Sequence, residues 1–250
     1  MGVIPFRDDD SGRRTFPYVN LFLIGLNILA YVYVYYLVDP ATQQNILQNY
    51  VAIPREILQG QDVPPVGPSP LWVTVFTSMF LHANLLHIAG NMLFLFIFGD
   101  NVEDAFGHAR YLAFYLLCGV AAALTQLVVV EMFQPQAIDG GELGASGAIA
   151  GVLGAYIVLF PRARILTLIG LGIFFITRLP ATIVIGAWFL LQFIPGLATV
   201  SSGDGTAYFA HVGGFVAGAL LVLILRPLGP RRLRVAPVAP VPPGYSDRYS

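Results

Sequence analysis

Six apolar runs, separated by polar or turn-forming residues, constrain this 250-residue chain more than any other feature of its sequence. At about 1.5 Å per residue, a helix of about 20 residues crosses a hydrocarbon core of roughly 30 Å. The runs are Tyr18–Val38, Asn84–Gly99, Tyr111–Val130, Gly144–Phe160, Ala181–Val200 and Tyr208–Leu225. We therefore predict an all-α polytopic membrane protein with six transmembrane helices, the second of which begins about a turn before its run.

The composition agrees with a membrane protein and excludes several other classes. The chain is 56% hydrophobic and 11% charged, whereas charged residues make up about a quarter of a soluble domain. A net charge of -1 with no basic stripe gives no expected nucleic-acid partner. The one cysteine, Cys118, lies within an apolar run and is read as a small buried residue. The four histidines lack a second cysteine or a nearby carboxylate pair, so no metal or cofactor is predicted.

The positions of the arginines support the number of crossings independently. The chain has 13 basic residues, all arginine. If six crossings place both termini in the cytoplasm, only Arg55 lies outside, as the positive-inside rule requires. The arginines on the inner side are Arg7, Arg13, Arg14, Arg110, Arg162, Arg164, Arg178, Arg226, Arg231, Arg232, Arg234 and Arg248. We expect a multi-pass protein of the cell (inner) membrane in contact with lipid.

The segments outside the runs complete the predicted organisation. The predicted domains are a cytoplasmic N-terminal tail (1–17), a six-helix membrane domain (18–226) and a disordered cytoplasmic tail rich in proline and arginine (227–250). Residues 39–71 contain six prolines and are expected to be loop-like. Residues 100–108 are read as a charged connection, and 165–176 as an interfacial or partly re-entrant piece that is too short to span.

Polar side chains from three runs are expected at one depth in the membrane. Ser146 and His211 each lie within about one helical turn of the outer end of their runs. His87 lies near the start of the second run, and Asn91 follows one turn later on the same helical face. A serine becomes a nucleophile at neutral pH when a base such as histidine is adjacent, so we predict that Ser146 and His211 form a catalytic pair.

Glycines are expected to bring the two helices of this pair close together. Gly147 and Gly151 on one run, and Gly214 and Gly218 on the other, form the small-residue faces that allow membrane helices to approach. His87, Asn91 and the backbone N–H of Ser146 are predicted to stabilise an oxyanion. Since no carboxylate is expected at this depth, the prediction is a dyad without an orienting acid.

Three segments carry a family resemblance. His82–Met92, Gly144-Ala145-Ser146-Gly147 and Ala210–Gly214 resemble, in this order, the signatures of the rhomboid intramembrane serine proteases. The similarity covers about residues 18–226. It implies a bacterial-type six-helix protein in which Ser146 is the nucleophile, His211 is the general base and then acid, and His87 with Asn91 lines the oxyanion hole.

The resemblance also implies a class of substrate, a loop embedded in the membrane and a helix that moves. Substrates would be single-pass membrane proteins cleaved in or near their transmembrane segment, with residues 39–83 partly in the outer leaflet and the fifth helix moving aside to admit them. Two positions depart from the pattern. Trp72 is followed by Val73 rather than arginine, and Ala150 stands where some relatives have an aromatic residue, so the side chain that orients His211 is not identified.

Other interpretations of the same residues remain. A serine among glycines is also typical of helix packing. An intramembrane histidine can belong to a proton path, and a layer of polar side chains can belong to a small transporter. A rhomboid-like pseudoprotease that binds membrane helices without cleaving them is the main alternative, although such proteins typically lack the serine or the histidine. His82 is a possible neighbour of the site. Trp188 is read as packing or lipid-facing bulk, and Gln192 as a hydrogen-bonding or substrate-contact residue.

Overall fold

The computed structural model describes residues 2–8, 13–62, 64, 66–170, 174–202 and 207–225. The helices are α1 (Tyr18–Val32, continued by a π-helical segment, Tyr33–Leu37), α2 (Pro40–Asn49), α3 (Pro54–Gln59), α4 (Thr74–Thr77), α5 (Leu85–Phe106), α6 (His108–Phe133), α7 (Ser146–Leu159), α8 (Ala181–Ser202) and α9 (Tyr208–Leu225). The strands are β1 (Gly2–Arg7), β2 (Arg164–Gly170) and β3 (Phe174–Pro180). The predicted C-terminal tail and the side chain of Gln192 lie outside what is described.

In the described part of the chain, four helical segments are long and apolar enough to cross a membrane. They are Tyr18–Leu37, Leu85–Phe106, His108–Phe133 and Tyr208–Leu225. The prediction of a helical membrane protein is therefore confirmed. The prediction of six transmembrane helices stays a prediction. Helix α7 has only 14 residues, and the apolar part of α8, Ala181–Leu191, is also shorter than a membrane span.

Helix α7 lies at the centre of the bundle. Every residue from Gly147 to Tyr156 is buried, and α5, α6 and α9 pack around it. Tyr156 packs edge-on against Phe98 of α5, with ring centroids 5.0 Å apart. A helix that is apolar on all sides and rich in small residues is expected in the interior, where close neighbours leave no room for larger side chains. Ser146 is thus carried by the most enclosed helix of the described protein.

A small sheet corrects two predictions and makes the fold mostly helical rather than all-α. β1, β2 and β3 form an antiparallel sheet in that order, with Val3 opposite Ile169 and Thr167 opposite Thr177. The described parts of residues 165–176 pair as strands in β2 and β3, and the interfacial or partly re-entrant placement of this stretch stays a prediction. Part of the predicted N-terminal tail supplies the third strand, with Pro5 at the sheet edge, where a missing N–H is tolerated.

Two further predictions are wrong at the level of local structure. Most of the expected charged connection at 100–108 is helical: residues 100–106 form the last part of α5, where Asp100, Asn101 and Glu103 are buried, and His108 begins α6. Glu103 accepts hydrogen bonds from the backbone N–H groups of Val19 and Asn20 at 3.0 and 2.7 Å, which caps the start of α1. The loop expected at 39–71 contains α2 and α3, and Asp39 caps α2 by accepting from Ala41 N.

Candidate active site

Ser146 and His211 are brought together by two helices that begin at the same end of the bundle. Ser146 is the first residue of α7, and His211 lies in the first turn of α9. The distance between His211 Nε2 and Ser146 Oγ is 2.7 Å, which is a hydrogen bond. Ala145, which precedes the helix, makes no side-chain cap bond to it. The backbone N–H groups in the first turn of α7, next to Ser146, therefore have no side-chain cap as a hydrogen-bond acceptor.

Backbone contact at glycines explains why such short side chains can meet. A Cβ added at Gly214 would lie 2.0 Å from the carbonyl oxygen of Gly147, and one added at Gly218 would lie 2.0 Å from that of Gly151. Both distances are far below van der Waals contact, so only glycine fits at these positions. The glycines singled out from the sequence thus lie where α7 and α9 touch through their backbones.

Gly144 places His87 beside the serine. Its φ of +126° is in the region that favours glycine, and a Cβ there would lie 2.8 Å from the His87 ring and 3.6 Å from Ser146 Oγ. His87 itself is held in the first turn of α5, where its backbone N–H donates to Asn84 Oδ1 at 2.9 Å. The imidazole of His87 therefore adjoins the segment that leads into Ser146.

Asn91 and His82 are buried polar residues with unused hydrogen-bonding groups. Asn91 follows His87 by one turn of α5 and is 9% exposed. Among the described residues, Asn91 Nδ2 and both ring nitrogens of His82 have no hydrogen-bond partner. The His82 ring lies edge-on to that of His87, with centroids 5.1 Å apart. Because a buried, unpaired donor costs about 1–3 kcal/mol, these groups are candidates for hydrogen bonds to a bound ligand.

The aromatic neighbour of His211 comes from α8. The ring centroid of Trp188 is 5.9 Å from that of His211, and 6.2 Å from that of Phe94 on α5. Position 150, on α7, is a fully buried alanine. The reading of Trp188 as bulk missed its contact with His211, because its spacing along α8 is equally that of a packing residue.

A cavity of about 50 Å³ adjoins Ser146 and His211, and a carboxylate lines it. This is Glu142, in the segment between α6 and α7, and its withdrawal from water raises the pKa of the carboxyl to about 8. The expectation that no carboxylate lies at this depth is therefore wrong. Its position in a turn-rich connection gave no sign that the chain folds inward there. In the described ranges, no three His, Cys, Asp or Glu side chains are grouped as metal ligands.

Comparison with known proteins gives a consistent set of similarities. The Rhomboid domain family matches residues 69–228. Rhomboid protease AarA of Providencia stuartii is 30% identical over 232 residues, which cover 87% of this chain and 75% of that protein. Rhomboid protein 1, mitochondrial, of Saccharomyces cerevisiae is 32% identical over 59% of this chain. Rhomboid protease GluP of Bacillus subtilis is 34% identical over 61% of this chain. The chain spans only 40% and 26% of those two relatives.

Proposed function

This chain belongs to the rhomboid family, and on that premise we propose that it is an intramembrane serine endopeptidase that uses Ser146 and His211 as a dyad. Its membrane character follows from the family and from its long apolar helices. Relatives that are named rhomboid proteases support a proteolytic activity in general. The observation that carries the dyad is the 2.7 Å contact between His211 Nε2 and Ser146 Oγ.

The proposed reaction is an acyl transfer in two halves. Ser146 Oγ attacks the scissile carbonyl carbon while His211 Nε2 accepts the hydroxyl proton. The imidazolium then gives this proton to the leaving amine as the carbon–nitrogen bond breaks, which leaves an acyl-enzyme on Ser146. Water attacks the ester, His211 takes a proton from that water, and the proton returns to Ser146 Oγ as the new carboxyl terminus departs.

Donors around Ser146 are proposed to stabilise the tetrahedral oxyanion. The unpaired Nδ2 of Asn91, the ring of His87 and the backbone N–H of Ser146 are the candidates. A donor aimed at the developing charge contributes about 10²–10³ in kcat by precedent. What supports this role for Asn91 is that its amide is buried beside His87 without a partner in the described structure.

The substrates and topology belong to the same proposal. We infer a membrane domain over residues 18–226 with six spans, both termini in the cytoplasm and residence in the cell membrane, as the arginine distribution favours. With 14 residues, α7 is about 21 Å long, which is shorter than a core of roughly 30 Å, and we infer that the missing length lies on the outer side and recesses Ser146 below that surface. Single-pass transmembrane proteins, cleaved in or near their spans, are the substrates proposed.

A fluorophosphonate reagent tests the proposal directly. The purified protein in detergent is treated with the reagent, the modified residue is mapped, and cleavage of a reporter transmembrane protein is followed in parallel. We expect modification at Ser146, and no cleavage by Ser146→Ala or His211→Ala although both fold. Ser69→Ala, in an exposed loop, is the matched control. Full cleavage by Ser146→Ala would overturn the dyad. Tight binding of the reporter by the unaltered chain, without labelling or cleavage, would favour the pseudoprotease alternative.

A further inference from the structure

The carboxylate that lines the Ser146 cavity is held at a fixed place. Glu142 precedes Ser146 by four residues and pairs with Ala52 through two backbone hydrogen bonds. Ala52 N donates to Glu142 O at 3.0 Å, and Glu142 N donates to Ala52 O at 2.9 Å. The segment that leads into α7 is thereby tied to the long connection after α1. Glu142 also lines the cavity that Ser146 and His211 share.

A buried glutamine contacts the helix that carries His211. Gln126 of α6 is 4% exposed, and its Oε1 accepts a hydrogen bond from the backbone N–H of Ala210 at 3.1 Å. Ala210 directly precedes His211, in the first turn of α9, where an N–H has no partner within its own helix. The Gln126 side chain also lowers the pKa of the Glu142 carboxyl, against the larger opposite effect of burial. Since Oε1 is the acceptor toward Ala210, the amide Nε2 of Gln126 is the group available as a donor.

We propose that Gln126 Nε2 donates to the Glu142 carboxyl, and that the resulting bridge of Glu142, Gln126 and the backbone of Ala210 positions His211 against Ser146. This inference rests on the proposed function of the dyad and adds two positioning residues to it. The bridge connects the segment before Ser146, the helix α6 and the residue before His211. A shift of any one of its members changes the distance between the hydroxyl and the imidazole, and misplacement by about 1 Å can cost about 10²-fold in rate.

The charge of Glu142 decides which substitution conserves the bridge. Burial raises the pKa of this carboxyl to about 8, so the group is mostly neutral at pH 7. His211 is the other ionisable group on the cavity wall, and His87 adjoins Gly144. Asp139, in the same connection between α6 and α7 as Glu142, forms an exposed ion pair with Arg55. A neutral glutamine has nearly the shape of a protonated glutamate and keeps an acceptor for Gln126 Nε2. Glu142→Gln is therefore the conservative variant, and Glu142→Ala the disruptive one.

The experiment measures kcat, KM and the rate of fluorophosphonate labelling for Gln126→Leu, Glu142→Ala, Glu142→Gln and the Gln126→Leu/Glu142→Ala double variant. Glu131→Ala, an exposed carboxylate on α6, is the matched control. We expect Gln126→Leu to lower kcat and the labelling rate about tenfold to a hundredfold with KM unchanged. Glu142→Ala should do the same to a smaller extent, Glu142→Gln should restore most of the rate, and the double variant should be no worse than Gln126→Leu alone.

Several results would overturn the bridge. Rates equal to those of the unaltered chain in Gln126→Leu, multiplicative losses in the double variant, or equal damage by Glu142→Gln and Glu142→Ala would each contradict it. If Gln126→Leu does not fold in a thermal melt, Glu142→Ala at its partly exposed position decides the question alone. Failure of the unaltered chain to be labelled at Ser146 is a different result, because it would contradict the proposed function itself.

Discussion

The two ends of α5 carry the same kinds of side chain in opposite states of hydrogen bonding. Near its start, Asn91 is buried with its Nδ2 unpaired among the described residues. Ten residues later, the Nδ2 of Asn101 donates to Asp8 Oδ2 at 2.6 Å. The histidines differ in the same way. His108, just after α5, bonds Glu103, whereas His82, just before it, has neither ring nitrogen bonded within the described structure.

The end that lies away from Ser146 uses its polar groups to hold the fold together. Asp8 also accepts a hydrogen bond from the Tyr156 hydroxyl at 2.8 Å, so the segment after β1 is attached to both α5 and α7. Glu103 is fully buried and is bonded to the first backbone N–H groups of α1. A buried carboxylate is tolerated when hydrogen bonds replace its water, which is the case here. These groups connect elements that are far apart in the sequence.

At the end that contains Ser146, close packing at glycines brings α7 and α9 together, and a hydrogen bond from Ala210 N to Gln126 Oε1 joins α9 to α6. At this end, unlike the other, buried donors of α5 and of the residues before it stay unpaired among the described residues. Composition alone does not separate the two ends, because each has asparagine, histidine and a glutamate. The difference is whether the buried groups have partners, and it suggests which substitutions should affect stability and which should affect turnover.

The largest effect should come from breaking the glycine contact. Gly218→Val would place its Cβ 2.0 Å from the carbonyl oxygen of Gly151, and the two backbones must then move apart. We expect destabilisation by more than about 3 kcal/mol and no detectable cleavage. Gly25→Ala on α1 is the control, since nothing lies within 4 Å of the added atom and alanine favours helix. Thermal melts and reporter cleavage measure both, and a stable, active Gly218→Val would show that hydrogen bonds rather than packing hold this end.

Next in size is Asn91→Ala, at the unpaired end of α5. If its Nδ2 stabilises the oxyanion, kcat should fall by about 10²–10³. The melting temperature should not fall, because no hydrogen bond within the described structure is lost from Nδ2. Steady-state kinetics with the reporter substrate, together with a thermal melt, check both parts. A loss of stability with unchanged kcat would assign Asn91 to the fold and reverse the comparison.

Asn101→Ala, at the opposite end of the same helix, should show the reverse pattern. It removes the donor to Asp8 and leaves a buried carboxylate with fewer hydrogen bonds. We expect destabilisation by about 1–3 kcal/mol, with kcat per folded molecule unchanged. Denaturant unfolding gives the first quantity, and cleavage normalised to labelled enzyme gives the second. A specific fall in kcat would mean that this end is coupled to the chemistry.

What the sequence predicted well depends on local patterns. Apolar runs identified the long helices, and glycines four residues apart marked the faces on which α7 and α9 meet. The rest depends on contacts between distant segments. β1 pairs with β2 across about 160 residues, and Asp8 meets Asn101 across 93. The apolar content of β2 does not distinguish a strand from an interfacial segment, and the pairing of Glu142 with Ala52, which lies 90 residues earlier, has no local signal.

The smallest expected effect concerns Trp188, the α8 residue whose ring contacts His211. Trp188 packs on His211 with tilted rings, and such a contact contributes about 0.5–1.5 kcal/mol. Trp188→Ala should therefore lower kcat about two- to tenfold. Trp188→Phe should lower it less, and Trp72→Ala, at an exposed tryptophan in the first connection, should leave it unchanged. Helix α8 follows β3 directly, and Ala181 N at its start donates to Ala163 O at 2.8 Å. Through α8, the Trp188 ring therefore connects His211 to the end of the bundle where the sheet lies. A Trp188→Ala enzyme with undiminished kcat would show that this ring does not position the imidazole and that the two ends are independent.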